Sequence, residues 1–212
     1  DGDIIIISQK IISKHEGRTI NLDSIIPSEL AVGIASAYDK NPKLVEAILS
    51  ESKRIVRMEH GVIIVQTKHD LICANAGIDE SNVDGNHVTL LPIDPDNSAK
   101  LIQEDIQKNF GKTVAVIISD TFGRPFRLGQ TDVAIGIAGI DSILNYAGMY
   151  DTFGKILHVT AIAVVDELCS AAELVMGKTK KSPMAIIRNY KFESSTDKIS
   201  SLIRSESEDL FK

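Results

Sequence analysis

The sequence predicts an α+β fold, and three observations support this prediction. First, apolar runs of strand length, rich in Ile and Val, are mixed with segments of helical periodicity. Second, these strands and helices do not alternate regularly, as they do in a doubly wound protein. Third, hydrophobic residues form 43% of the chain and aromatic residues only 5%, with no Trp, so a core of aliphatic side chains is expected.

The first half of the chain predicts a buried strand, two helices and a hairpin. The run of Ile near the start is typical of a strand that is buried on both faces. Asn41 and Pro42 favour the start of a helix, because Asn caps free N–H groups and Pro suits the first helical position. The predicted elements are a strand at 3–8, helices at 27–38 and 42–54, and hairpin strands at 61–67 and 71–75.

The second half predicts further strands and three helices. Gly111 and Gly177 each follow a periodic segment and are expected to end a helix. Residues 121–129 are predicted to form a loop, and the Gly residues within 133–140 indicate bulges or close backbone contacts. The predicted elements are strands at 87–92, 114–119, 157–163 and 184–188, and helices at 94–110, 164–176 and 197–212.

Composition narrows the range of partners. The 212 residues carry a net charge of −6 and no basic cluster, so nucleic acid is not an expected partner. No apolar run reaches the length of a membrane span and no signal peptide opens the chain, so we expect no membrane partner. Cys73 and Cys169 lie in apolar runs without CxxC spacing, which favours reduced core residues of a cytoplasmic protein. We expect one domain over residues 1–212, with room for two sub-lobes, in a chain that starts at Asp1 rather than Met.

A pair of acidic positions is the strongest candidate for chemistry. Asp79 lies in a Gly-containing turn, while Asp120 and Thr121 follow an apolar strand. Carboxylate and hydroxyl oxygens are the ligands that Mg²⁺ or Mn²⁺ prefers, and such ions usually hold nucleotide phosphates. The alternative is that both stretches are ordinary surface turns. Asp94 and Asp96 could also bind metal, but capping of the following helix explains them without it.

Basic side chains near these positions have two interpretations. Lys10, Lys14 and Arg18 recur every four residues, which would place them on one helix face and beside a phosphate. A solvated polar face explains the same spacing. Arg124 and Arg127 could hold an anionic substrate through bidentate hydrogen bonds, or could form loop salt bridges.

Taken together, these motifs resemble one family, the coenzyme F420-0:L-glutamate ligases (F420-0 gamma-glutamyl ligases). The similar stretches occur in the family order and span nearly the whole chain. They are ISKHEGR at 12–18, NAGIDESNV at 75–83, LPIDPDNS at 91–98, DTFGRPFRLG at 120–129, AIGIAG at 134–139 and VDEL at 165–168.

The resemblance implies both a fold and an activity. The implied fold has mixed, largely antiparallel sheets with packed helices, in an intertwined homodimer. The implied activity is a GTP-dependent ligation, in which L-glutamate is joined to the carboxylate of coenzyme F420-0 through an acyl phosphate. Mg²⁺ or Mn²⁺ is implied as cofactor, with K⁺ as an aid.

The resemblance also implies roles for individual residues. Metal ligands are expected at Asp79, Asp120 and Thr121. Nucleotide contacts are expected at Gln9, Lys10, Lys14, Asn82, Gly177 and Lys178, although the family usually has small hydroxyl residues at the positions of Gln9 and Lys10. For Arg124 and Arg127, a role in holding the anionic substrate is our own inference from the motif.

Two departures from the family pattern leave alternatives open. Lys178 stands where the family has an acidic metal ligand, and an ammonium group cannot coordinate Mg²⁺. The family also usually has an N-terminal segment before the first strand, which we expect to be missing here, through truncation or natively. The alternatives are a nucleotide- or deazaflavin-binding paralogue with weakened or no ligase activity, and a ligase for another carboxylate.

Overall fold

The fold is described from a computed structural model, which covers residues 1–81 and 83–209. The chain divides into two compact units. Unit 1 consists of Asp1–Ser8, Pro95–Thr121 and Thr131–Glu206, and unit 2 consists mainly of Gln9–Asp94 and Phe122–Gln130. Each unit therefore combines segments that are distant in sequence. The single domain over residues 1–212 stays a prediction.

The described residues form five α-helices and eleven strands. The helices are α1 (Gln9–His15), α2 (Glu29–Tyr38), α3 (Pro42–Ser50), α4 (Pro95–Phe110) and α5 (Val164–Met176). The strands are β1 (Ile4–Ser8), β2 (Thr19–Asn21), β3 (Ser52–Glu59), β4 (Val62–Thr67), β5 (Ile72–Ala74), β6 (His87–Thr89), β7 (Ala115–Arg124), β8 (Arg127–Ala138), β9 (Leu144–Asn145), β10 (Ala161–Ile162) and β11 (Met184–Ile187).

Unit 1 is built around a four-stranded sheet with the order β11-β1-β7-β8. Strand β1 pairs in parallel with β7 and antiparallel with β11. Val116, Ile117 and Ile118 are consecutive in β7 and all fully buried, so this sheet is covered on both faces. One buried face packs against α5, where Leu168 and Cys169 join the same hydrophobic core as Ile4 and Ile6.

Unit 2 contains a three-stranded antiparallel sheet, β3-β4-β5, that packs against α2 and α3. A second antiparallel pair, β2-β6, lies beside α3 through Leu22 and Val88. All strand pairs other than β1-β7 for which a register is defined are antiparallel. The α+β class with largely antiparallel sheets is therefore confirmed.

Capping chemistry accounts for the helices that the sequence predicts best. Ser28 caps α2 by accepting the N–H of Ala31 at 3.2 Å, and Asn41 caps α3 by accepting the N–H of Lys43 at 2.9 Å. Gly177, at a φ of 59°, ends α5 at the predicted position. The strand near the N-terminus, the hairpin β4-β5 and helix α4 are likewise confirmed.

Two predictions of secondary structure in the middle of the chain are wrong. Residues 52–54 open strand β3 rather than ending a helix, since α3 ends at Ser50. Residues 121–129 are not a loop but the tip of a hairpin, in which β7 and β8 extend to Arg124 and Arg127. Gly123, which suggested a loop, is accommodated in β7, and Phe126 makes the turn with a φ of 61°.

The expected C-terminal helix at 197–212 is also wrong where it is described. Only Ile199–Leu202 is helical, as a short 3-10 turn, and residues 203–209 are irregular. Asp197, just before this turn, accepts hydrogen bonds from the N–H and hydroxyl of Ser142, so long-range contacts rather than helical periodicity position the chain here. Residues 210–212 lie outside the described part. The predicted strand at 157–163 shrinks to β10.

Cys73 and Cys169 are both free and buried, as predicted. Over residues 1–81 and 83–209, no helix combines the length and apolar character needed to cross a membrane.

Candidate functional site

In unit 1, the predicted site residues Asp120 and Thr121 lie within strand β7. Both are half-buried. Adjacent side chains of a strand leave it on opposite faces. Thr121 shares its face with Ser119, because both hydroxyls donate hydrogen bonds to Asp132 of β8. Asp120 therefore lies on the other face.

Asp132 is the buried centre of a polar group that we call the Asp132 cluster, formed by Ser119, Thr121, Asp132 and Lys178. The Asp132 side chain is only 4% exposed. Its Oδ1 accepts the Thr121 hydroxyl at 2.6 Å and the Lys178 ammonium at 2.9 Å, and its Oδ2 accepts the Ser119 hydroxyl at 3.3 Å. Helix α5 is tied to the same strand, since the Ser170 hydroxyl donates to the Asp132 carbonyl at 2.9 Å.

Lys178 reaches this cluster from the segment after α5. Gly177 ends the helix, and Lys178 then places its Nζ 2.5 Å from the Thr121 hydroxyl oxygen and 3.8 Å from Glu173. The Lys178 side chain is 58% exposed, whereas its acceptor Asp132 is buried. The Lys178 ammonium group is therefore accessible to solvent while it is held in place by the buried Asp132 carboxylate.

The buried end of α5 contains two further titratable groups. Burial raises the pKa of Asp166, against the hydrogen bond that its carboxylate accepts from the Ala134 N–H at 2.9 Å. Burial, reinforced by the nearby carboxylates of Asp166 and Asp132, raises the pKa of the Cys169 thiol. Cys169 is therefore a protonated core residue at neutral pH and not a nucleophile.

In unit 2, a strained turn presents Asp79. Three successive residues, Asn75, Ala76 and Gly77, have positive φ values of 53°, 56° and 68°. Such conformations are costly for non-Gly residues and cluster at functional sites. After this turn, the backbone of Asp79 exchanges two hydrogen bonds with Thr89, at 3.0 and 2.9 Å. The position of the carboxylate is thereby fixed by the main chain.

The Asp79 carboxylate is held as an anion by α1. Lys10 Nζ lies 2.5 Å from Oδ2, and the Ser81 N–H donates to Oδ1 at 2.6 Å. Lys10 also donates to the hydroxyl and carbonyl of Ser81, at 2.6 and 2.9 Å. Burial alone would raise the pKa of Asp79, but the hydrogen bonds from Lys10 and Ser81 outweigh it and hold this pKa below its ordinary value. We call Lys10, Asp79 and Ser81 the Asp79 cluster.

The remaining predicted residues of α1 differ in their surroundings. The Gln9 side chain is buried, and its amide donates to Ser13 at 2.6 Å and to the Leu90 carbonyl at 3.1 Å. Lys14 is exposed. Arg18 donates to Glu51 at 2.6 Å and to the Leu91 carbonyl at 2.9 Å, so it has an internal structural role. Nucleotide contacts at Gln9, Lys10 and Lys14 stay predictions.

The two arginines of the hairpin also differ. Arg124 is half-buried and donates from Nη2 to the Leu128 carbonyl at 3.2 Å, while Arg127 is exposed. The Nε of Arg124 is buried and has no hydrogen-bond partner within the described part of the chain. Asn82, a predicted nucleotide contact, lies outside the described residues.

The donor types fit a hard divalent cation. Asp79 is an ionised carboxylate with a half-exposed side chain, and Thr121 offers a hydroxyl oxygen. Asp79 belongs to unit 2, whereas Asp120 and Thr121 belong to unit 1, so the shared site stays a prediction. Across the residues described, no group of three or more His, Cys, Asp or Glu side chains is arranged to hold a metal, and the predicted set contains only two carboxylates.

Sequence reasoning brought Thr121 and Lys178 to the same site but missed Asp132. An acidic residue at the start of the apolar run Val133–Ala138 of β8 was the available signal, since an ionised side chain among buried neighbours needs a partner. Ser81 was missed for a different reason: Ser is an ordinary turn residue, and its contact with Lys10 depends on a fold that the sequence does not reveal.

Comparisons with known proteins agree with the family resemblance of the sequence motifs. The family model described as F420-0:Gamma-glutamyl ligase matches residues 1–189. Three curated proteins, each named coenzyme F420:L-glutamate ligase, are similar over most of the chain. The protein of Methanothermobacter thermautotrophicus is 51% identical over 191 residues, which cover 90% of this chain and 76% of that protein. The proteins of Methanocaldococcus jannaschii and Methanopyrus kandleri are 45% and 42% identical over the whole of this chain and 85% and 86% of their own lengths.

Proposed function

This chain belongs to the F420-0:gamma-glutamyl ligase family, and we propose that it joins L-glutamate to the carboxylate of coenzyme F420-0 with GTP as co-substrate. The observation that carries this proposal is the match to a protein named coenzyme F420:L-glutamate ligase, at 51% identity over 90% of the chain. The two lysine-containing clusters support it, because anionic substrates need fixed positive charge.

The chemistry requires activation of a carboxylate. We propose that a carboxylate oxygen of F420-0 attacks the γ-phosphorus of GTP, forming an acyl phosphate and releasing GDP. The neutral amine of glutamate then attacks the acyl carbon, so that an amide bond forms, the C–O bond to phosphate breaks, and inorganic phosphate and a proton leave. Phosphoryl transfer of this kind depends mainly on positioning and on charge neutralisation.

The residues of the chain supply positioning and charge in this proposal. Lys178 offers a fixed ammonium group to phosphate oxygens, and Arg124 and Arg127 hold the anionic substrate or transition state. Lys14 contacts the nucleotide, and so do Asn82 and the remaining predicted positions Gln9, Lys10 and Gly177. Because acyl phosphates hydrolyse, the site must also exclude water during the reaction.

We propose Mg²⁺ or Mn²⁺ as the cofactor, with K⁺ as an aid. Asp79 and Asp120 are the proposed ligands of the divalent ion. Thr121, the third predicted ligand, leaves β7 on the opposite face from Asp120, so its hydroxyl does not share this ion with Asp120. When bound, the ion supplies neutralisation of phosphate charge. The half-exposed carboxylate of Asp79, on a main chain fixed by two hydrogen bonds with Thr89, supports this assignment.

We also propose a homodimer. At the hairpin tip, Phe126 and Leu128 are 90% and 99% exposed. Two neighbouring large apolar side chains in water are unfavourable in an isolated chain, and a second copy of this chain would bury them.

Product formation tests the proposed function. Purified protein is incubated with F420-0, L-glutamate, GTP and Mn²⁺, and the products are separated and weighed by mass spectrometry. We expect F420-0 extended by glutamate together with GDP, and we expect EDTA to stop both. GDP without a glutamylated product, or no reaction at all, would reject the ligase proposal.

A second candidate is a paralogue that binds nucleotide or deazaflavin without ligation. The observation that favours it is the ammonium group of Lys178 against Thr121 and Asp132, where a ligase of this family is expected to need an acidic ligand. Calorimetry separates the two, because tight binding of F420-0 or GTP without GDP release identifies a binder. Turnover with other carboxylic acids in place of F420-0 distinguishes a ligase for a different acceptor.

A further inference from the structure

We infer that Asp132 is a positioning residue, which holds the Lys178 ammonium group and the Thr121 hydroxyl in place for the phosphate groups of the nucleotide. This inference rests on the proposed function, because it names a residue that acts through Lys178 in the same reaction. Asp132 itself does not need to touch a substrate.

The burial of Asp132 is the first argument. Its side chain is 4% exposed, and a carboxylate in such a place is unfavourable unless it is paired and hydrogen-bonded. The three side chains around it meet this need, with donor-to-oxygen distances of 3.3, 2.6 and 2.9 Å from Ser119, Thr121 and Lys178. The carboxylate is therefore a satisfied acceptor with a fixed position.

The geometry of the three groups is the second argument. Lys178 donates to Asp132 Oδ1 and also to the Thr121 hydroxyl oxygen, which in turn donates to the same Oδ1. An ammonium group has three N–H donors, and these two contacts leave a third for an anionic oxygen, since the Glu173 carboxylate at 3.8 Å is beyond hydrogen-bonding distance. A lysine side chain is flexible, so anchoring on a buried carboxylate reduces the conformational entropy that substrate binding would otherwise cost.

A contribution to folding stability explains the Asp132–Lys178 ion pair less well than a functional role does. The Lys178 side chain is 58% exposed, and an ion pair with such a solvated partner contributes little to folding. Burying a carboxylate to form a weak ion pair brings no net gain in stability. Holding a positive charge beside the Thr121 hydroxyl is a role that requires both the buried Asp132 and the exposed Lys178.

Nucleotide binding by variants tests this inference. We compare wild type, Asp132→Asn, Lys178→Met and the double variant by calorimetry with a non-hydrolysable GTP analogue and Mn²⁺. Each single variant is expected to raise Kd roughly tenfold. The double variant is expected to have the same Kd as the single variant that binds more weakly, because both substitutions disrupt the same Asp132–Lys178 interaction. Lys180→Met removes the same charge from the same loop and is expected to leave Kd within about twofold of wild type.

The kinetic readout separates positioning from support of the fold. Asp132→Asn is expected to raise KM for GTP much more than KM for glutamate, and Lys178→Arg is expected to retain most of the affinity. If Asp132→Asn fails to fold, Asp132→Ser replaces it, with the same expected loss. Wild-type nucleotide affinity in a folded Asp132 variant, or additive losses in the double variant, would overturn the inference. If wild type forms the glutamylated product but the Asp132 variants show either of these results, only the inference about Asp132 is rejected. If wild type forms no product and binds no nucleotide, the proposed function itself is rejected.

Discussion

The Lys10–Asp79 ion pair shows how single residues prepare this chain for chemistry. Lys10 lies on α1 and Asp79 follows a strained turn far along the chain, yet Nζ and Oδ2 are 2.5 Å apart. The folded pKa of Asp79 is depressed, so its contribution to stability is present above the unfolded pKa and is lost as pH falls through the folded value.

The direction of this pKa shift predicts how Lys10→Met changes the free energy of unfolding. The variant is expected to be less stable than wild type at pH 7. The difference is expected to shrink as pH falls through the depressed folded pKa of Asp79, where the carboxylate becomes protonated in wild type as well. Urea unfolding at pH 7 and at a series of acidic pH values measures it. Lys180→Met serves as a control for the loss of one positive charge, and an equal difference at every pH value would contradict the electrostatic interpretation.

Some residues of the site could be predicted from sequence and others could not. Thr121 and Lys178 were identified through a motif resemblance, and the structure brings them within 2.5 Å of each other. Asp132 could not be identified in the same way, because its role depends on the pairing of β7 with β8 rather than on a local sequence pattern. Gln9 stays a predicted nucleotide contact, but its side chain is buried with its amide bonded to Ser13 and Leu90, which spacing along a helix could not reveal.

At the scale of elements, local capping decided which predictions succeeded. Helices α2 and α3 begin where Ser28 and Asn41 satisfy free N–H groups, and this chemistry is visible in the sequence. Strand β3 was missed because charged residues occupy most of its exposed positions, so it lacks the apolar run that identifies a buried strand. The C-terminal helix was wrong because contacts of Asp197 with Ser142 are long-range.

The close packing of α4 on β8 gives a second prediction. A Cβ at Gly136 would lie 2.4 Å from the backbone carbon of Pro95, so Gly136→Ala must displace main chain at the start of α4. We expect a loss of about 1–3 kcal/mol or more in the free energy of unfolding. Urea unfolding at pH 7 measures this loss.

Gly33→Ala is the matched control for this substitution. Gly33 lies inside α2 with open space at the Cβ position and no positive φ. Ala is the better helix former, so we expect a gain of about 0.5–1 kcal/mol in the same assay. Equal effects of the two substitutions would show that the contact at Pro95 has no energetic weight.

At the scale of the whole molecule, the exposed apolar side chains at the hairpin tip are the feature that most favours association with a second chain. The sequence predicted a loop here, whereas the structure extends two strands to a tip that carries Phe126 and Leu128. Its apolar exposure follows from the hairpin fold, so it could not be inferred from the loop-like composition of the segment.

The proposed homodimer gives a third prediction. Wild type is expected to sediment with twice the chain mass of 23.1 kDa, and the double substitution Phe126→Ser with Leu128→Ser is expected to shift it to the mass of one chain. Phe153→Ser, at another side chain that is 88% exposed, serves as the control. A wild-type protein that sediments as a single chain at micromolar concentration would contradict the homodimer.

The most direct measurement of the central claim follows one oxygen atom. F420-0 labelled with ¹⁸O in its reacting carboxylate is incubated with protein, GTP, Mn²⁺ and L-glutamate, and the inorganic phosphate is analysed by mass spectrometry. If the carboxylate is phosphorylated before the amide forms, one ¹⁸O atom appears in phosphate for each glutamyl product. Phosphate without label, or label that stays in F420-0 while GTP is consumed, would contradict the proposed ligation.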